Sequence, residues 1–225
     1  MRRLPIYFIV DVSENNFEDF QPLVYEGIKK MLKIWRQNPY FLELIYISQI
    51  HYNNEGCSVS PFRELYDFNL VTNNYNIENN IKVLDVLMKH IEENVEKTTP
   101  DSRGDYKPLI VVFSSDSDAN RNHGDIMKWA SEYRRNSNMI VFDLGDKTNS
   151  CYIEELEEKM KFSLNMSANN VIHINSENRF SFIDAMDFLA KSYMRCAGAN
   201  ISIGQIYEYN LEKDKINITY TFKHP

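Results

Sequence analysis

The chain has 225 residues, 43% of them hydrophobic and 25% charged, which gives one sizeable globular α/β domain and excludes a disordered segment. A formal net charge of −7 argues against a broad nucleic-acid-binding face. No apolar run is long enough to span a bilayer, and Cys57, Cys151 and Cys196 form no C-x-x-C pair, as expected for idle thiols in a reducing cytosol.

The basic start and short apolar run of MRRLPIYFIVDVS read as a first strand, Leu4 to Val10, and not as a signal peptide. Near-continuous apolarity there predicts a strand buried on both faces. It ends abruptly in Asp11, and a polar tract follows: Ser13, Glu14, Asn15 and Asn16. Phe17, Phe20, Leu23, Val24, Ile28, Met31, Leu32 and Trp35 recur at helical steps, with regular helix expected from near Pro22 and ended by Asn38-Pro39. Phe41 to Tyr52 reads as a strand, Asn53 to Gly56 as a turn and Cys57 to Ser60 as a short returning strand, so the sheet gains one antiparallel edge. Arg63 to Tyr75 is irregular. Ile77, Ile81, Leu84, Met88, Ile91 and Val95 predict a second helix with its stripe on the sheet.

Lys97 to Tyr106 is a polar loop, and Pro108 to Phe113 a second fully buried strand. It too ends in a polar tract, Ser114-Ser115-Asp116-Ser117-Asp118. A helix is expected around Asp125 to Arg134, a strand at Met139 to Leu144, a charged helix at Tyr152 to Lys161, a strand at Asn170 to Ile174 and a last long helix from about Phe180 to Cys196. Two β-like stretches, Ile201 to Leu211 and Lys215 to Phe222, either extend the sheet edge or form a separate hairpin. The fold class is therefore α/β: a three-layer, doubly wound, mostly parallel sheet with one antiparallel edge strand and a C-terminal β-hairpin. The division is residues 1–198 for the domain and 199–225 for the extension packed on it.

Acidic and polar groups directly after buried parallel strands sit where open α/β sheets bind ligands. Asp11, Ser13 and Asn15 place an oxygen on every second residue, a spacing that lets alternate side chains turn toward one hard cation. Asn15 and Asn76 are equally suited to capping helices. His51 and His173 lie in strands, His90 on a helix and His123 in a loop, none with zinc-ligand spacing. Asp116 and Asp118 are a carboxylate pair suited to acid/base work or to simple solvation. No Gly-rich phosphate loop and no Gly-x-Ser-x-Gly elbow is present.

RRLPIYFIVDVSEN resembles the opening of von Willebrand factor A domains, particularly the TerY-like tellurite-resistance branch. The resemblance continues through RQNPYFLELIYISQIHY, SPFRELYDF, KPLIVVFSSD and MKWA, and covers most of residues 3–195 in element order. The family's metal-ion-dependent adhesion site uses Asp-x-Ser-x-Ser, a threonine before the second helix and an aspartate after the fourth strand. Here Asp11 and Ser13 match, the third position is Asn15 and the threonine position falls near Asn76. The fourth-strand aspartate is either replaced by Ser115 or displaced to Asp116.

The resemblance implies a degenerate site that holds no metal, or Mg²⁺ weakly, with Ca²⁺ or Mn²⁺ as substitutes. It also implies a non-enzymatic module of a bacterial stress or tellurite-resistance system, cytoplasmic, without nucleic-acid or membrane partners. Its partner would be a protein, of kinase- or phosphatase-like type, docked at Asp11, Ser13, Glu14, Asn15, Asp116 and Asp118. The alternative is a Mg²⁺-dependent haloacid-dehalogenase-like phosphotransferase with Asp11 as nucleophile. Such enzymes place an acid/base aspartate two residues on, where this chain has Ser13.

Overall fold

The computed structural model describes residues 2–12, 17–53, 55–73, 75–79, 81, 83–114, 138–143, 170–173, 183, 186–187, 190–191 and 217–219. Among them, strands β1 (Leu4–Asp11), β2 (Ile45–Tyr52), β3 (Gly56–Val59), β4 (Arg63–Glu64), β5 (Glu78–Asn79), β6 (Leu109–Ser114), β7 (Asn138–Asp143), β8 (Asn170–His173) and β9 (Asn217–Thr219) form one sheet. Helices α1 (Phe17–Arg36), α2 (Pro39–Leu44) and α3 (Val83–Asn94) are joined by helical turns at 183, 186–187 and 190–191.

The sheet order is β5-β3-β2-β1-β6-β7-β8-β9, with β4 also on β2. β2, β1, β6, β7 and β8 are mutually parallel. The four parallel strands expected at Leu4, Leu109, Met139 and Val171 are all in this single sheet. β3 runs antiparallel to β2 as expected, but it is not the edge: β5 pairs outside it. β9 closes the opposite side antiparallel to β8, so residues 217–219 extend the main sheet. Residues 201–211, expected as the other half of a C-terminal hairpin, lie outside the described residues, as do the helices expected at 125–134 and 152–161.

Every residue of β1 is buried, because successive side chains feed two cores. Ile6, Phe8 and Val10 meet Val24, Ile28, Met31 and Trp35 of α1, together with Met186 and Ala190. Tyr7 and Ile9 meet Val83, Leu87 and Ile91 of α3 on the other face. Trp35 is fully buried, as its place in the α1 stripe predicts, and its indole Nε1–H donates to the Ala190 carbonyl at 3.1 Å. Each such large apolar side chain contributes roughly 1.5–3 kcal/mol by leaving water.

Three expectations need correction. α1 begins at Phe17, five residues ahead of Pro22, which lies inside the helix. Only one amide hydrogen bond is lost there, near the end where the first four are unpaired in any case. Residues 41–44, expected as the start of the Phe41–Tyr52 strand, belong to helix α2 (Pro39–Leu44). Pro39 occupies its first turn, Asn38 Oδ1 accepts from the Tyr40 amide at 3.0 Å, and Phe41 and Leu44 are buried. The second helix starts at Val83 and not at Ile77, because Glu78 and Asn79 are drawn into β5. Its buried line is Val83, Leu87 and Ile91, whereas Ile81 and Met88 are half-buried.

The amino edge of the sheet is clamped by Asp105, which is 8% exposed. Its carboxylate accepts from Arg3 Nη2 at 2.6 Å, Arg3 Nε at 3.0 Å, the Arg3 amide at 3.1 Å and the Glu96 amide at 2.8 Å. The loop between α3 and β6 is thereby tied to the start of β1. Gly104 turns this loop with φ +59, and a Cβ there would lie 2.6 Å from the Glu96 carbonyl oxygen.

Candidate functional site at the carboxyl edge of the sheet

β1 and β6 are parallel neighbours, with Val10 opposite Phe113. One residue further on each strand come Asp11 and Ser114. From β1 the chain crosses toward β2, and from β6 it crosses the other way toward β7. The gap between β1 and β6 is therefore the topological switch point, the crevice where open α/β sheets bind ligands.

Asp11 is fully buried at the end of β1. The pleat puts its side chain on the α3 side with Tyr7 and Ile9, opposite Tyr52 of β2. The Val12 amide donates to the Tyr52 carbonyl at 2.8 Å, which carries the ladder one residue past Asp11 and fixes its backbone. Ser13, Glu14, Asn15, Asp116 and Asp118 lie outside the described residues. Asn76 is described and exposed.

The segment carrying Asn76 is tied to the same edge from the α1 side. The Tyr75 ring lies 4.0 Å, centroid to centroid, from the His51 imidazole. His51 is in register with Val10, the residue before Asp11. The Tyr75 hydroxyl donates to the Thr72 carbonyl at 2.8 Å and also meets the Tyr25 hydroxyl and Gln21 Nε2 on α1. Asp11 and the Asn76 segment thus reach one sheet edge from its two faces.

Beneath this edge is a polar network that the residue pattern did not reveal. The Gln49 side-chain amide pairs with the Val71 backbone in both directions, Nε2 to carbonyl and amide to Oε1, each at 3.0 Å. That fixes which end of the amide is nitrogen. Its second N–H faces His51 Nε2 at 2.9 Å, so that ring nitrogen is the acceptor and the imidazole is neutral. Burial pushes the His51 pKa down to about 4. The signal for this network was Gln49 and His51, two of the three polar residues, with Ser48, inside β2. Both are buried and hydrogen-bonded, in keeping with a histidine that is satisfied and not a zinc ligand.

Burial also raises the Tyr25 and Tyr75 hydroxyls, which stay protonated. Cys57 is buried and its thiol is pushed up to about 11, the state of an unreactive cysteine. Among the described residues no three His, Cys, Asp or Glu side chains converge as a metal site. The described members of the expected ligand set are one carboxylate, Asp11, and one amide, Asn76. These are oxygen donors of the kind Mg²⁺ takes, and together they carry a single negative charge. When bound, such an ion would supply an open coordination position for a partner's carboxylate. Among the described residues no helix is long and apolar enough to cross a membrane.

No protein-family model matches the sequence, and no curated protein matches it. Solved structures do match. The von Willebrand factor type A protein from Catenulispora acidiphila aligns with TM-score 0.53 and 9% identity, over 86% of this chain and 43% of that one. The human COPII-coat protein Sec24c aligns with TM-score 0.50 and 11% identity, over 84% of this chain and 32% of that one. This chain spans less than half the length of either neighbour. At these identities the likeness is one of fold: a mostly parallel α/β sheet of the von Willebrand factor A kind.

Proposed function

We propose that this domain is a protein-interaction module that docks its partner at the carboxyl edge of the sheet. The observation that carries this reading is the switch point between β1 and β6, with Asp11 buried at its rim. Asp11, Ser13, Glu14, Asn15, Asp116 and Asp118 form the docking surface. Loops leaving two adjoining rigid strands can present contacts without disturbing the core.

Asp11, Ser13, Asn15, Asn76 and Asp116 are the residues that would hold Mg²⁺, or Ca²⁺ or Mn²⁺ in its place. With few anionic ligands, intrinsic affinity is low, and an acidic residue of the partner completes the site. A von Willebrand factor A-like fold and a coat protein among the structural neighbours fit a binding role. The phosphotransferase alternative has nothing comparable in its favour. Ser13 stands where such enzymes place their acid/base aspartate, and it cannot act as a general acid. We place the module in the cytoplasm, in the TerY-like branch, within a bacterial stress or tellurite-resistance system with a kinase- or phosphatase-like partner.

The test compares partner capture by wild type and Asp11→Asn, with and without chelator, after matched thermal melting shows both are folded. The variant keeps the shape of the side chain and removes its charge. Capture should weaken at least tenfold. Equal capture by a folded Asp11→Asn protein would show that this edge is not the interface.

A further inference from the structure

A second surface of distinct chemistry lies away from this edge, between the C-terminal half of α1 and residues 68–70. It is a groove of about 630 Å³. Its floor is apolar, built from Leu32, Phe68 and Leu70, and its rim carries Lys29, Lys33 and Arg36. The amides Gln37 and Asn69 complete the lining, so among the described residues no carboxylate lines it. In a chain of net charge −7, three cations in one lining that holds no anion among the described residues are a local reversal of sign.

Neighbouring charges sharpen the contrast. Lys30 on the same helix pairs with Asp187 at 3.7 Å, and Lys191 pairs with Asp187 as well. Lys29 and Lys33 are exposed and have no ion-pair partner among the described residues. Arg36 is held in place by main-chain oxygens: Nε and Nη2 both donate to the Leu65 carbonyl at 3.1 Å, and Nη2 also to that of Phe68. Carbonyls orient a guanidinium but do not neutralise it. Its charge therefore stays at the groove, in a fixed orientation and without a counter-ion among the described residues.

We propose that this groove docks an acidic peptide segment of a protein partner, with an apolar side chain seated on Leu32, Phe68 and Leu70. The spacing specifies the segment. Lys29, Lys33 and Arg36 follow one helical face at steps of four and three, roughly 6 and 4.5 Å along the axis. An extended peptide advances about 3.3 Å per residue and puts alternate side chains on one side. Two acidic residues separated by one position thus match Lys29 and Lys33, and a leucine or aromatic residue beside them fills the floor. The apolar floor and the chain's overall negative charge disfavour a nucleic acid, which would need a broad basic face and stacking rings.

The test is fluorescence polarisation of the 225-residue chain with labelled synthetic peptides of the form acidic-x-acidic flanked by leucine or phenylalanine. Lysine-substituted and scrambled peptides, and a single-stranded oligonucleotide, serve as competitors. Acidic peptides should bind, weaken as salt is raised, and lose at least tenfold in affinity with Lys29→Glu/Lys33→Glu. Leu70→Asn should weaken binding about fivefold, while Asp11→Asn leaves it unchanged, which separates this groove from the carboxyl edge. All three variants change surface or partly buried positions, or conserve shape, and their folding is checked by melting. Equal binding of basic peptides, or displacement by the oligonucleotide, would overturn the proposal. So would indifference to the Leu70 change, or a concentration-dependent dimer abolished by the lysine reversals.

Discussion

His51 makes folding stability depend on pH in a way that can be worked from its surroundings. The ring is 2% exposed, packed on Tyr75, and accepts a hydrogen bond at Nε2 from a Gln49 amide that Val71 prevents from flipping. Protonating Nε2 would set two donors against each other in a buried site. Burial holds the folded pKa down at about 4, against 6.5 for a free histidine. A folded value below the unfolded one means that the unfolded chain binds the proton more readily. The stabilisation is therefore complete above about pH 7 and drains away as pH falls toward 4. Between pH 7 and pH 5 the loss from this residue alone comes to about 2 kcal/mol. His90 is also shifted down by burial and adds to the slope in the same direction, so the readout is a difference between two proteins. His51→Phe keeps a ring against Tyr75 and removes the titrating nitrogen, at a cost of about 1–3 kcal/mol for the stranded Gln49 N–H. Urea unfolding of both proteins at pH 7 and pH 5 is the assay. The variant should be less stable at pH 7 and should lose about 2 kcal/mol less than wild type on acidification. An equal loss in both would refute the reasoning.

At the amino edge, Asp105→Ala leaves the Arg3 and Glu96 amides and a partly buried guanidinium without their acceptor. The loss should be about 3–5 kcal/mol by chemical denaturation. On α3, Leu87→Ala should cost about 2–5 kcal/mol, because Leu87 is fully buried in the second core. Ile77→Ala, at a half-buried position outside the helix, should cost clearly less, and the reverse ranking would restore the helix phase first read from the sequence. Calorimetric titration with Mg²⁺ should show weak binding or none in the free protein, and a micromolar constant would contradict the low anionic count of the ligand set.

The parallel core of the sheet was legible because β1 and β6 are buried on both faces and meet that burial with nearly continuous apolar runs. The α1 stripe was legible because twenty residues of helix repeat its pattern several times over. Shorter elements were lost where one signal has two readings. Asn38-Pro39 ends one helix and starts the next, and the aromatic PYFLEL that follows has the composition of a strand. β5 is two residues long and exists through pairing with Gly56 and Cys57, which no local pattern announces. Gly56 marks the place: a Cβ there would fall 1.8 Å from the Glu78 carbonyl oxygen, so only glycine lets β5 approach. That pairing displaced the start of α3 and moved its buried line from Ile81 and Met88 to Val83 and Leu87. Of the candidate site, Asp11 stands where an acidic residue after a buried strand must stand. The Gln49, His51 and Tyr75 network escaped notice because its partners are brought together only by the fold.

The most direct test of docking at the carboxyl edge is site-specific photo-crosslinking in the native host. A photoreactive residue replaces Ser13, two residues after Asp11 in the chain, in one protein and Asp101, exposed in the loop between α3 and β6, in another. Docking at this edge gives a partner adduct from position 13, suppressed by Asp11→Asn, and none from position 101. An adduct from position 101 with none from position 13 would contradict it.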